Sequence, residues 1–122
     1  MTVAFYCVLI AAFLPILFTG VAKFSGKGFN NNSVRDFQAS LTGMRQRAHW
    51  AHLNSFEAFP PFAAAVVIAH LAHGANQTVN QLAIAFVLLR VVYGVLYIVD
   101  FASMRSVVWL AAVGCWVAMY FV

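Results

Sequence analysis

The sequence predicts an all-α integral membrane protein, a four-helix bundle formed by a single domain over residues 1–122. Three observations predict it. The chain is 64% hydrophobic and 8% charged, whereas ordinary soluble domains are roughly 25% charged. It holds four apolar stretches, roughly 2–23, 48–72, 79–100 and 104–122, each close to the ~20 residues that cross a hydrocarbon core of about 30 Å. Its basic residues are also segregated. Lys23, Lys27, Arg35, Arg45 and Arg47 lie in or beside the segment between the first two stretches, and Arg105 lies at the junction of the last two. The N-terminus, the loop between the second and third stretches and the C-terminus carry no Lys or Arg. The positive-inside rule then puts the basic loops in the cytoplasm and both termini outside.

The first helix, 2–23, has no Lys or Arg ahead of its apolar run. A cleaved signal peptide has a basic leading region, so this helix is expected to be retained. Pro15 is expected to kink it, with neighbouring helices satisfying the freed backbone groups. Residues 24–43, rich in Gly, Asn and Ser, read as a surface loop, with Ser40 or Thr42 capping the second helix. Pro60 and Pro61 are expected to bend that helix. Gly74 suits its C-terminus. Thr78 with Gln81 reads as a capping box opening the third helix, and Ser103 as the N-cap of the fourth. The short connections make helices two and three, and three and four, antiparallel neighbours.

Glu57 and Arg90 are ionisable residues inside apolar stretches. A charge near the bilayer centre costs at least ~2.5–3.5 kcal/mol, so such residues usually face other helices and have a task. Counted inward from Arg47, Asn54 lies about 10 Å deep and Glu57 about 15 Å; counted back from Asp100, Tyr97 lies about 5 Å deep, Tyr93 about 10 Å and Arg90 about 15 Å. The depths pair Glu57 with Arg90 and Asn54 with Tyr93. Spacing puts Arg47, Trp50, Asn54, Glu57 and Pro61 on one helical stripe, and Arg90, Tyr93 and Tyr97 on another. Arg105 and Ser106 open the fourth helix, with Trp109 one turn on. This is a pocket facing the cytoplasmic leaflet, with a cationic mouth and a Glu–Arg floor. It suits a small anionic, peptide-like ligand. A helix–helix strut held by the same pair, with interhelical hydrogen bonds from Asn54 and the tyrosines, satisfies the spacing equally.

Cys7 and Cys115 lie in the two terminal helices, where a disulfide is conceivable; with no CxxC and no His partner they read as small buried hydrophobes. His49, His52, His70 and His73 form two i,i+3 pairs without a third ligand. They read as interfacial ends of the second helix, and no metal site is expected. Net charge is +4. Lys27 and Arg35 suit anionic lipid headgroups, and no basic stripe interleaved with aromatics points to nucleic acid.

Three segments resemble the MAPEG family, the membrane-associated proteins in eicosanoid and glutathione metabolism, in its bacterial type. They are Arg47-Ala-His-x-x-x-x-Asn54-x-x-Glu57-x-x-Pro60, then Arg90-x-x-Tyr93-x-x-x-Tyr97, then Arg105-Ser106-Val-Val-Trp109. The resemblance implies a homotrimer of four-helix subunits with glutathione bound between neighbours near the cytoplasmic side. It makes Arg105 the residue that stabilises the glutathione thiolate, and Asn54, Glu57, Tyr93 and Tyr97 those that hold the tripeptide. Arg90 and Trp109 complete the wall, and Lys23, at the end of Thr19-Gly20-x-x-Lys23, contacts a carboxylate. A guanidinium beside a thiol of pKa about 8.5 favours the nucleophilic thiolate at neutral pH. Trp50 and Leu53 stand at or next to positions where eukaryotic members tend to have arginines, which leaves Arg47 and Lys23 to supply those contacts.

The expected function is a glutathione transferase or peroxidase-like activity of the inner membrane, acting on lipophilic small molecules from the bilayer. The same family includes a lipid-binding, non-catalytic branch, so a scaffold on this fold is the alternative. A third reading is a small proton-coupled exporter, in which Glu57 exchanges proton and drug; it requires pH-dependent drug binding that vanishes in Glu57→Gln.

Overall fold

The computed structural model describes residues 1–122 as five α-helices and no strand: α1 Val3–Phe24, α2 Val34–Ser40, α3 Gly43–His73, α4 Gln77–Ile98 and α5 Ala102–Ala118. Helices α1, α3 and α4 are long and apolar enough to cross a membrane. At 1.5 Å per residue α1 and α4 run about 33 Å and α3 about 46 Å, so α3 exceeds a hydrocarbon core by several turns. The surplus includes its first turns, which carry Arg45 and Arg47. α5, at 17 residues, is about 26 Å long and ends short of the expected 104–122 span.

α1 packs along α3, α4 lies against both, and α5 packs mainly on α4 and only sparsely on α3. Small residues make these seams close: Ala4, Ala11, Ala65, Ala69 and Ala83 are almost completely buried. Between helices in lipid, where the hydrophobic effect gives little drive, backbone approach and dispersion do most of the work. Phe62 of α3 and Phe86 of α4 stack at 3.9 Å between ring centres, 10° from parallel, in the middle of this core. Gly94 is required where it stands, because the Phe18 ring of α1 occupies the place its Cβ would take. Leu17, Leu71, Leu88 and Leu110 point outward and stay exposed, as lipid-facing positions do.

The helix ends engage several of the polar residues outside the pocket. Arg45 donates through Nε to the Ala22 carbonyl, through Nη2 to Lys23 and through Nη1 to Lys27, each at 2.9 Å, and so closes the end of α1. Two residues on, Arg47 points to the other side of α3 and donates through Nε to the Ile98 carbonyl at the end of α4, also at 2.9 Å. At the opposite end of the molecule, the Asn80 side chain accepts the otherwise free N–H of Ala4, and the Thr2 hydroxyl meets His70 Nε2 at 2.8 Å.

Several local expectations are corrected. The segment 24–43 contains the short helix α2 rather than only loop. Seven residues do not hold a helix by themselves; this one is held by burial of Phe37 and Leu41 against Ala22 and Ala48, with the Arg45 guanidinium 5.2 Å from the Phe37 ring centre. Thr42 precedes α3 but its side chain makes no capping bond. The cap of α4 is Asn76, whose side chain accepts from the Thr78 N–H at 2.8 Å, so Thr78 lies inside the helix. Phe101, not Ser103, precedes α5. Gly74 follows α3 with φ 73, as its place at a helix end suggests.

His52 is not an interfacial residue. It is buried, and Nδ1 donates to the Pro15 carbonyl at 2.7 Å, which ties α3 to α1 where proline interrupts the α1 ladder. Cys7 and Cys115 are free and pack in the same apolar core. α1 and α3 remain helical through their prolines.

A crevice lined by two arginines and two tyrosines

Helical periodicity brings one stripe from each of α3, α4 and α5 to a common crevice, which opens because α5 barely touches α3. At its floor Arg90 is 2% exposed. Its Nη2 donates to Asn54 Oδ1 at 2.6 Å, and the Asn54 amide in turn donates to Glu57 Oε2 at 3.4 Å. The depth count puts Glu57 opposite Arg90, but the arginine bonds to Asn54 and Glu57 is joined only through it. The physical reason is reach: Asn54 and Glu57 stand about 4.5 Å apart along the α3 axis, both within the sweep of an arginine side chain, and the Asn54 oxygen is the one that meets the buried guanidinium.

From that floor an alternating ladder climbs α4 toward the basic end. The Arg90 guanidinium lies 4.1 Å from the Tyr93 ring centre. Tyr93 meets Tyr97 edge-on at 5.7 Å and 78°, and the Arg105 guanidinium lies 4.1 Å from the Tyr97 ring centre. Trp50 of α3 also approaches Tyr97, with ring centres 6.3 Å apart and planes tilted by 52°. Each cation–ring contact contributes about 0.5–2 kcal/mol, depending on desolvation.

Three hollows share these walls. A cavity of about 260 Å³ has Asn54, Glu57 and Arg90 on one side and Phe86, Trp109 and Trp116 on the other. A shallower hollow of about 320 Å³ lies beside Trp50, Leu53 and Tyr97 and shares Asn54 and Glu57 with the first. The third, about 420 Å³, is lined by Tyr93, Arg105, Ser106, Trp109 and Leu110, so Trp109 stands between it and the first. Pro61 borders the first cavity and has no N–H for the Glu57 carbonyl one turn back, which leaves an acceptor there without its helical donor.

The crevice thus unites Asn54, Glu57, Arg90, Tyr93, Tyr97, Arg105 and Trp109. Lys23 lies apart, on the end of α1, with its ammonium 5.1 Å from the Phe29 ring centre. Arg47, expected on the pocket stripe, is turned to the Ile98 carbonyl and borders none of the three hollows. Phe86, Ala112 and Trp116 were not among the expected wall residues. The i, i+3, i+7 spacing of Trp109, Ala112 and Trp116 was the available signal for the last two. No three His, Cys, Asp or Glu side chains come together; His49 and His52 stack on each other at 5.8 Å.

Chemically the crevice offers guanidinium groups at floor and mouth, a carboxylate at the rim, tyrosine rings between them and an apolar chamber beyond Trp109. A molecule carrying both a carboxylate and an amine finds complementary charges here. A family model described as the MAPEG family matches residues 3–122. No curated protein and no solved structure matches the chain.

Proposed function

The chain belongs to the MAPEG family, and on that premise we propose that it is a membrane-embedded glutathione transferase or peroxidase-like protein. The single observation carrying this reading is Arg105, whose guanidinium rests on Tyr97 at the edge of a hollow large enough for part of a tripeptide. Arg105 holds the sulfur of glutathione as thiolate. The thiolate attacks a lipophilic electrophile: a carbon–sulfur bond forms, the leaving group departs with its electron pair, and the thiol proton goes to solvent. A hydroperoxide is the alternative acceptor. Asn54, Glu57 and Arg90 take the charged backbone ends, with Tyr93, Tyr97 and Trp109 as walls.

The working unit is a homotrimer of four-helix subunits in the bacterial inner membrane, with its basic loops cytoplasmic and its termini outside. Two observations support an assembly. Glu57 is exposed at a depth where a lone subunit would turn it toward lipid. Lys23 lies away from its own subunit's crevice, so a neighbouring copy is the one to bring it to a ligand carboxylate. α5 serves as the fourth span, its last residues reaching the interface.

The test is the ultraviolet thiolate signal on titrating glutathione into purified protein beside Arg105→Ala. A saturable signal lost in the variant supports the reading. The apolar lining by Phe86, Trp109 and Trp116 favours one second reading, a non-catalytic lipid binder on the same fold. That reading predicts no thiolate in the wild type, and lipid retained in the crevice of the purified protein.

A further inference from the structure

The last four carbonyls of a helix have no donor within it, and at the end of α4 all four are accounted for. Val95 accepts from the Val99 N–H at 3.0 Å, Leu96 from Phe101 at 2.9 Å and Tyr97 from Asp100 at 3.2 Å. The crossed pair on Leu96 and Tyr97 is the turn that a left-handed residue closes, and Asp100 has φ 67. The Ile98 carbonyl is the one this turn leaves over, and Arg47 Nε takes it at 2.9 Å from another helix.

Arg105 depends on this turn for its place. It sits in the first turn of α5, its N–H bonded to the Phe101 carbonyl at 3.0 Å. Its guanidinium makes no hydrogen bond and rests on Tyr97, itself in the last turn of α4. Asn54 and Glu57 lie two and three turns beyond Arg47 on α3. The Arg47–Ile98 bond therefore ties the helix that carries the polar pair to the turn that carries Arg105.

We infer that Arg47 is a positioning residue for Arg105: acting through the Ile98 carbonyl and touching no ligand, it fixes the distance between the cationic mouth and the Asn54–Glu57 wall. Its functional readout rests on the glutathione reading above. Its structural readout does not.

The experiment compares full-length wild type, Arg47→Met and Arg47→Lys in detergent by two measurements. One is the thiolate signal of bound glutathione against pH, with affinity determined alongside. The other is amide hydrogen exchange over residues 95–105. In Arg47→Met the thiolate midpoint should rise by about one pH unit, with affinity kept within about threefold. Exchange at Asp100 and Phe101 should quicken about tenfold while α1 keeps its protection. Arg47→Lys, which keeps a donor, should recover part of both, and it carries the comparison if the methionine variant does not fold. An unchanged midpoint and unchanged exchange would overturn the inference. So would a loss of affinity at constant midpoint, because Arg47 would then be a ligand contact. If wild type forms no thiolate, exchange alone decides: a loosened turn upholds Arg47 and rejects glutathione, and an unaltered turn rejects Arg47.

Discussion

Arg90 and Asn54 are joined by a 2.6 Å hydrogen bond across the α3–α4 seam, and the one other side chain that Asn54 bonds is Glu57. The amide stands between a buried cation and an exposed anion, satisfying the first with its oxygen and the second with its nitrogen. Removing it therefore costs more than one hydrogen bond. Asn54→Ala should lower stability by about 3 kcal/mol or more, because it leaves the Arg90 guanidinium buried without its partner. Arg90→Met should cost less, because it removes the buried charge together with its need for a partner. Denaturation in one detergent ranks the pair, and equal losses would mean that the bond carries no special weight.

Gly94 and Phe18 form a second test, confined to packing. A methyl at Gly94 meets the Phe18 ring, and both residues are buried. Gly94→Ala should destabilise by about 1–3 kcal/mol, as overpacking does. Phe18→Leu combined with it should recover part of that loss, because the space taken by the methyl is then returned. A strictly additive double variant would show that the two do not meet.

Periodicity made the crevice legible. Asn54 and Glu57, then Arg90, Tyr93 and Tyr97, then Arg105 and Trp109 each recur at helical spacing, and the structure gathers all seven. The partner of Arg90 was not legible, because a count at 1.5 Å per residue places backbones only. Asn54 and Glu57 are about 4.5 Å apart along the axis, well within the sweep of an arginine side chain. The tasks of Arg45 and Arg47 were hidden for another reason. They bond to backbone carbonyls, which every residue has, so no sequence pattern marks the partner. The helix α2 was hidden because burial of Phe37 and Leu41, not local propensity, forms it.

Asp100 is the one residue other than glycine with positive φ, at a position where glycine avoids the steric cost of a Cβ. Asp100→Gly should therefore be neutral or stabilising by up to about 1 kcal/mol, and Asp100→Val destabilising by at least that much. Thermal denaturation of the two variants checks the order. Stabilisation by valine would mean that the turn does not adopt this conformation in the membrane.

Ala112 lies between Trp109 and Trp116 on α5 and borders the 260 Å³ cavity. A cavity of about 150 Å³ lined by aliphatic and aromatic side chains accommodates benzene, so this chamber has room for a ring-sized apolar group beside its polar wall. A leucine at 112 would fill part of that room without reaching the Arg105 guanidinium, which faces Tyr97 on the far side of Trp109. If the chamber receives the electrophile, Ala112→Leu should leave the glutathione thiolate signal unchanged. Turnover of a ring-bearing electrophile should fall by about tenfold or more, the scale on which pockets discriminate by size. Measuring both in one preparation separates the two substrates. Loss of the thiolate would mean that the tripeptide extends past the polar wall and fills the apolar side of the chamber, and unchanged turnover would mean that the electrophile enters from the lipid by another face.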